Sequence, residues 1–304
     1  MSKVRCIYHD DLDGRCAAFW VRYKYGMECE CLKANYNIPS NEYLDKVEKD
    51  EKVVIVDFSL EPEDMDKLLA ITDDVIWIDH HITSIDKYKG FHQRIPGMRI
   101  DGIAGCVLTY IYFNLLGDDI REQGPELQRE NIEKYVSDVP KPTLLIGDRD
   151  VWDWKYGDET RFFFSGMESY DTNPMIGEQV HGSIWAMVLS PHMMCKVHSD
   201  GRIVERFKKY KNAELVDAFS FRCNWEGHKC VVVNAAKVGS EIFNSIDPDT
   251  YDMSITFIYD GEKFVISLYS MKIDVEKIAK KYGGGGHKGA SGFDINELPF
   301  KKEK

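Results

Sequence analysis

Hydrophobic residues in the first half of the chain come in short, nearly unbroken runs separated by amphipathic stretches. KVRCIY reads as a strand and GRCAAFWVRYKYG as a helix closed by Gly26. MECECLKANY and KVVIVDFSL follow as strands, EPEDMDKLLAIT as a helix and DDVIWIDHH as a strand. Pro62 at the start of its helix, with acids in the first turn, suits the helix dipole. β-Branched runs such as VVIVD belong to strands covered on both faces, and their alternation with helices predicts a parallel α/β sheet. Farther on, GIAGCVLTYIYFNLLG and PELQRENIEKYVSDV read as helices, and PTLLIGDRD as one more apolar run ending in acids.

After about residue 190 the pattern changes. SPHMMCKVHSDG reads as a loop and GRIVERFKKYKNAELVD as a helix. AFSFRCNW and KCVVVNA flank EGH, and MSITFIY and KFVISLYS flank DGE, two hairpin signals. DVEKIAKKYGGGGHKGASGFDI then reads as helix, glycine loop and strand. The expected fold is α/β, with an N-terminal parallel-sheet domain over 1–195 and a smaller C-terminal α+β domain over 200–304.

Composition narrows the class. The chain has 304 residues and a formal net charge of −12, which argues against gripping long duplex DNA through many phosphates. It leaves room for a small phosphorylated substrate if cations offset the carboxylates. No apolar stretch approaches the roughly 20 residues of a membrane helix, and MSKVRCIYHDD lacks the apolar region of a secretory signal. The expectation is therefore a cytoplasmic protein with no membrane partner. The eight cysteines include no CxxC pair, which argues against structural zinc and a disulfide framework. The pattern does not decide the oligomeric state, and a homodimer stays among the options.

The chemistry-bearing signal lies at the ends of the apolar runs. IY is followed by His9, Asp10, Asp11, Leu12 and Asp13, VVIV by Asp57, VIWI by Asp79, His80 and His81, and TLLI by Gly147, Asp148, Arg149 and Asp150. In a parallel sheet such ends share one edge, where open α/β sheets place their ligands. Carboxylates gathered there repel or take up protons unless cations join them. Oxygen donors mixed with imidazoles favour Mn²⁺, with Mg²⁺ or Co²⁺ as alternatives, and the donors suffice for two ions. A single aspartate after a strand is more economically a helix cap. One cap needs one acid, however, and HDDLDG carries three.

HDDLDG at 9–14, VDFS at 56–59, DHH at 79–81, GDRD at 147–150 and GGGGHKGASG at 283–292 together resemble the DHH family of phosphoesterases with its DHH-associated C-terminal domain. Only Asp10 separates His9 from Asp11, a spacing similar to the single-strand exonuclease branch and some nano-RNases. The resemblance implies an active site in the cleft between two domains. It implies one ion on His9, Asp11 and Asp57, and another on Asp13, Asp57, His80 and Asp148, with Asp57 shared. His81 would face the reacting phosphate and Asp79 would orient an imidazole from behind the ligands. GDRD offers two candidates; Asp148 is preferred as nearer the strand end, and Asp150 competes.

Glycines let backbone N–H groups approach phosphate oxygens, so Gly284, Gly285 and Gly286 with His287 and Lys288 are candidates for substrate binding. The competing account is a helix C-cap, which needs only one glycine. Arg149 either reaches a phosphate or neutralises its acidic neighbours. For Trp152 and Trp154, core packing outweighs base stacking, and His181, His192 and His198 show no partner pattern. The leading functional expectation is metal-dependent hydrolysis of a short oligonucleotide or small phosphorylated nucleotide to 5′-mononucleotides. A phosphatase for polyphosphate, pyrophosphate or a 3′-phosphorylated nucleotide and a non-catalytic nucleotide-binding scaffold are the alternatives.

Overall fold

The computed structural model describes residues 3–116, 129–175, 180–236 and 238–303. They form two compact units, one up to Val204 and the other from Glu205. The first holds strands β1 (Val4–His9), β2 (Cys29–Ala34), β3 (Lys52–Val56), β4 (Val75–Asp79) and β5 (Gly97–Arg99). They form one five-stranded sheet in the order β2-β1-β3-β4-β5, every pair parallel.

Apolar runs form these strands because both faces are covered. Cys6, Tyr8, Val54, Val56 and Ile78 join one core with the helices Leu12–Tyr25 and Gly105–Tyr110. Ile7, Val53, Ile55, Val75 and Trp77 join the opposite core with the helix Pro62–Leu69. Alternate residues thus enter opposite layers, so no polar position interrupts the run. Arg5 is the exception in β1: it is buried and donates through Nε and Nη2 to the two oxygens of Glu51 at 2.8 and 3.1 Å. The chain leaves β1 toward β2 on one side and builds β3 on the other. That reversal of strand order opens a crevice beyond the carboxyl ends of β1 and β3.

Two segments differ from the sequence expectation. PTLLIGDRD is not a strand end but part of the helix Lys141–Asp150, with Pro142 in its first turn. A four-residue apolar run does not separate strand from buried helix by periodicity. SPHMMCKVHSDG is no loop; it lies in the long helix Pro191–Phe219. Its Gly201 serves close packing: a Cβ there would stand 1.6 Å from the carbonyl oxygen of Phe162. Of the helix expected over 125–139, residues 125–128 lie outside the described residues, as does Gly117 of the preceding one; Arg129–Glu133 is helical.

The second unit carries β6 (Ser220–Trp225), β7 (His228–Asn234), β8 (Met253–Tyr259), β9 (Phe264–Tyr269), β10 (Gly285–His287) and β11 (Ala290–Ile295). They form a six-stranded sheet in the order β10-β11-β9-β8-β7-β6, antiparallel except for the β7–β8 pair. The helix Val275–Lys281 covers one face.

Candidate metal centre

HDDLDG resolves into separate tasks. The helix Leu12–Tyr25 starts directly after β1, and a Cβ on Gly14 would stand 2.0 Å from the carbonyl oxygen of His9, so only glycine allows this approach. Asp11 is the N-cap: Oδ1 accepts the Gly14 N–H at 2.9 Å, while Oδ2 lies 2.9 Å from His9 Nδ1. Asp13 is buried and accepts the N–H groups of Gly105 and Cys106 at 2.7 and 3.0 Å. Asp10 turns away and pairs with Arg15. The cluster therefore sends two carboxylates inward and one outward, with Asp11 both capping and facing His9.

Asp57, directly after β3, is 1% exposed and has φ of 52°, a left-handed conformation rare outside glycine. Such strain persists where surrounding structure over-determines it, commonly at functional sites. His80 Nε2 lies 3.1 Å from Asp57 Oδ1, 3.2 Å from Asp150 Oδ2 and 3.7 Å from Asp13 Oδ2. Asp79, fully buried, accepts the His80 N–H at 2.7 Å, pairs with His81 Nδ1 at 2.8 Å and accepts the Ser59 hydroxyl. It thereby fixes the ring plane of His81.

The electrostatics show crowding. Burial pushes the carboxyls of Asp13 and Asp57 well above the usual range, and neighbouring aspartates push further. Burial also raises Asp150. Burial acts to lower His9, but the carboxylates of Asp11 and Asp57 outweigh it and push the imidazole up to about 10. In Asp11 and Asp79 burial is likewise overcome, by His9 and His81 respectively, and both carboxyls lie low. Protons here stand in for missing positive charge.

The donor set fits cations. His9, Asp11 and Asp57 offer ligand atoms within 4.8 Å of one another, as do Asp13, His80 and Asp150, and as do Asp57, Asp79, His80 and His81. Asp57 Oδ2 and His9 Nδ1 are buried without a hydrogen bond of acceptable geometry. An oxygen and a nitrogen left so, beside further donors, match a hard or borderline divalent ion.

Of the expected ligands, Asp148 stands apart. Its buried carboxylate accepts the N–H groups of Lys155 and Tyr156 at 2.8 and 3.3 Å and the Thr160 hydroxyl. It anchors the following turn, and Asp150 takes the place beside His80. The separation follows from the helix: residues two apart point to different sides, whereas a strand would send both the same way. Arg149 stacks on Trp152, its guanidinium carbon 4.0 Å from the ring centroid. Trp152 is 57% exposed, so core packing does not describe it.

Gly284 to Lys288 belong to the other unit. Gly283 and Gly284 close the helix Val275–Lys281, their N–H groups on Lys280 and Ala279. A Cβ on Gly284 would stand 2.0 Å from the Gly292 carbonyl oxygen, and Gly286 has φ of 141°. A Cβ on Gly285, as on Gly283, would meet nothing within 4 Å, and His287 and Lys288 are exposed. Sequence reasoning missed Gly105, where a Cβ would stand 2.7 Å from Asp57 Cβ, and Tyr36, whose ring lies 5.7 Å from His9 and 6.5 Å from His81. Neither carries a sequence signal beyond a glycine before an apolar run and an aromatic after a strand.

No protein-family model matches the chain. Oligoribonuclease NrnB of Bacillus subtilis strain 168 is 22% identical over 312 residues, covering 96% of this chain and 73% of that protein. The chain shares its fold with the DHH domain of PF0399, a member of the s1p family of ribosomal proteins: TM-score 0.51, 13% identity, 96% of this chain and 82% of that one. The motifs and the fold are similar to those of DHH-family phosphoesterases. Protein R106 of Acanthamoeba polyphaga mimivirus, described as uncharacterized, is also similar to this chain, 23% identical over 325 residues, covering 97% and 68%.

Proposed function

We propose that this protein hydrolyses very short oligonucleotides, or small nucleotides of the same chemistry, to 5′-mononucleotides with the help of two divalent cations, Mn²⁺ in first place. The observation that carries the reading is Asp57: one buried carboxylate faces both His9 and His80, and its Oδ2 has no hydrogen bond. His9, Asp11 and Asp57 would hold one ion, and Asp13, Asp57, His80 and Asp150 the other. Bound there, cations supply positive charge to a phosphate and acidify water.

The remaining work falls to side chains. With Nδ1 committed to Asp79, the partly exposed His81 has Nε2 free for the substrate. Burial lowers its pKa, but the Asp79 pair outweighs this and raises it, which favours the form that can offer a proton from Nε2 to a phosphate oxygen. A net charge of −12 favours a short substrate over a long strand, and a relative named an oligoribonuclease agrees.

The test is release of 5′-mononucleotide from a dinucleotide with Mn²⁺, beside short polyphosphate and a 3′-phosphorylated nucleotide. Dinucleotide cleavage lost in Asp57→Ala is the expected result. Preference for either other substrate, or full turnover in Asp57→Ala, overturns the reading.

A further inference from the structure

The turn after Asp150 has a shape that its residues do not favour. The N–H of Asp153 bonds the carbonyl of Asp148 at 3.1 Å and that of Trp152 the carbonyl of Arg149 at 3.3 Å. This pairing at a helix end places Trp152 where a left-handed residue is required, usually glycine. Trp152 has φ of 59° and Trp154 φ of 56°. Bulky residues are outliers there, and with 57% of Trp152 exposed, the fold gains little burial in return.

The ring is nevertheless held firmly. Arg149 stacks on it, lying 4.0 Å from the Trp152 centroid and 5.3 Å from that of Trp154, and the two indoles meet edge to face at 5.2 Å. The buried Asp148 carboxylate pins the turn through Lys155, Tyr156 and Thr160. Asp150, within about 7 Å of the Trp152 backbone by chain length, reaches His80 in the metal centre. GDRD thus ties the ligand cluster and an exposed indole to the same helix end.

We propose that Trp152, braced by Arg149 and Trp154, is the stacking surface for a nucleobase of a ligand held at the metal centre. The inference rests on the proposed nucleotide chemistry of that centre. Stacking accepts every base, so it selects for a base without reading sequence, and the nearby guanidinium favours an anionic ligand.

Trp152→Gly removes the ring and suits the left-handed turn. Binding of adenosine 5′-monophosphate and of ribose 5-phosphate is measured by calorimetry, with thermal unfolding alongside. The expected result is an affinity for the nucleotide about tenfold lower, an unchanged affinity for ribose 5-phosphate, and an unfolding temperature equal or higher; Trp152→Phe restores most of the nucleotide affinity. Equal nucleotide binding in the wild type and Trp152→Gly overturns the proposal, as does a parallel loss for both ligands with a lowered unfolding temperature. A wild type that binds the nucleotide in this way yet cleaves no dinucleotide refutes the proposed reaction and leaves the stacking surface standing.

Discussion

Asp150 Oδ2 lies 3.2 Å from His80 Nε2, whereas Asp148, two residues earlier on the same helix, sends its carboxylate to Lys155, Tyr156 and Thr160. The two acids of GDRD therefore answer to different measurements. Asp150→Asn is expected to lower kcat/KM by about 100-fold or more with the unfolding temperature held. Asp148→Asn is expected to cost about 2 kcal/mol of stability, because three donors share its carboxylate and one of the two oxygens is lost as an acceptor. Turnover and urea unfolding of both variants, side by side, check the assignment.

Cations should stabilise the wild type and not a variant lacking the shared ligand. At a Mn²⁺ concentration 100 times its Kd, linkage adds about 2.7 kcal/mol. In Asp57→Asn that gain should vanish, while the metal-free variant stays folded because a crowded, buried acid has been neutralised. Thermal unfolding with and without Mn²⁺, after chelator treatment, measures both.

Gly105→Ala should damage the centre from outside the ligand set. Its Cβ would stand 2.7 Å from Asp57 Cβ and 3.0 Å from Asp13 Oδ2. We expect metal affinity to fall by about tenfold or more, read by calorimetric titration. Gly285→Ala is the contrast: a Cβ there meets nothing within 4 Å. Its unfolding temperature should hold.

Acid should weaken the Arg5–Glu51 pair in β1. Burial raises Glu51, but Arg5 outweighs it and holds the carboxyl below its ordinary value. A depressed carboxyl contributes stability that is full above the unfolded pKa of about 4.3 and is lost as pH falls through the folded value. Glu51→Gln should therefore cost about 1–3 kcal/mol at pH 7, with the gap to wild type closing toward pH 3. Urea unfolding across that range tests the sign.

The local pattern decided much of this protein. Unbroken apolar runs specified strands buried on both faces, and the acids after KVRCIY, KVVIV and DVIWI already marked one sheet edge. Strand direction is a consequence of connection length, so convergence of His9, Asp57 and His80 could be read without coordinates. Tertiary packing decided the rest. TLLI becomes helix because Gly147 lets it close on Ala104 and Val107, and that change of periodicity sets Asp150, not Asp148, beside His80. Gly201 lies within a helix rather than breaking one because Phe162 presses against it. The division has one physical cause: alternation and charge are written along the chain, whereas which side of a helix end faces a metal ligand depends on neighbours distant in sequence.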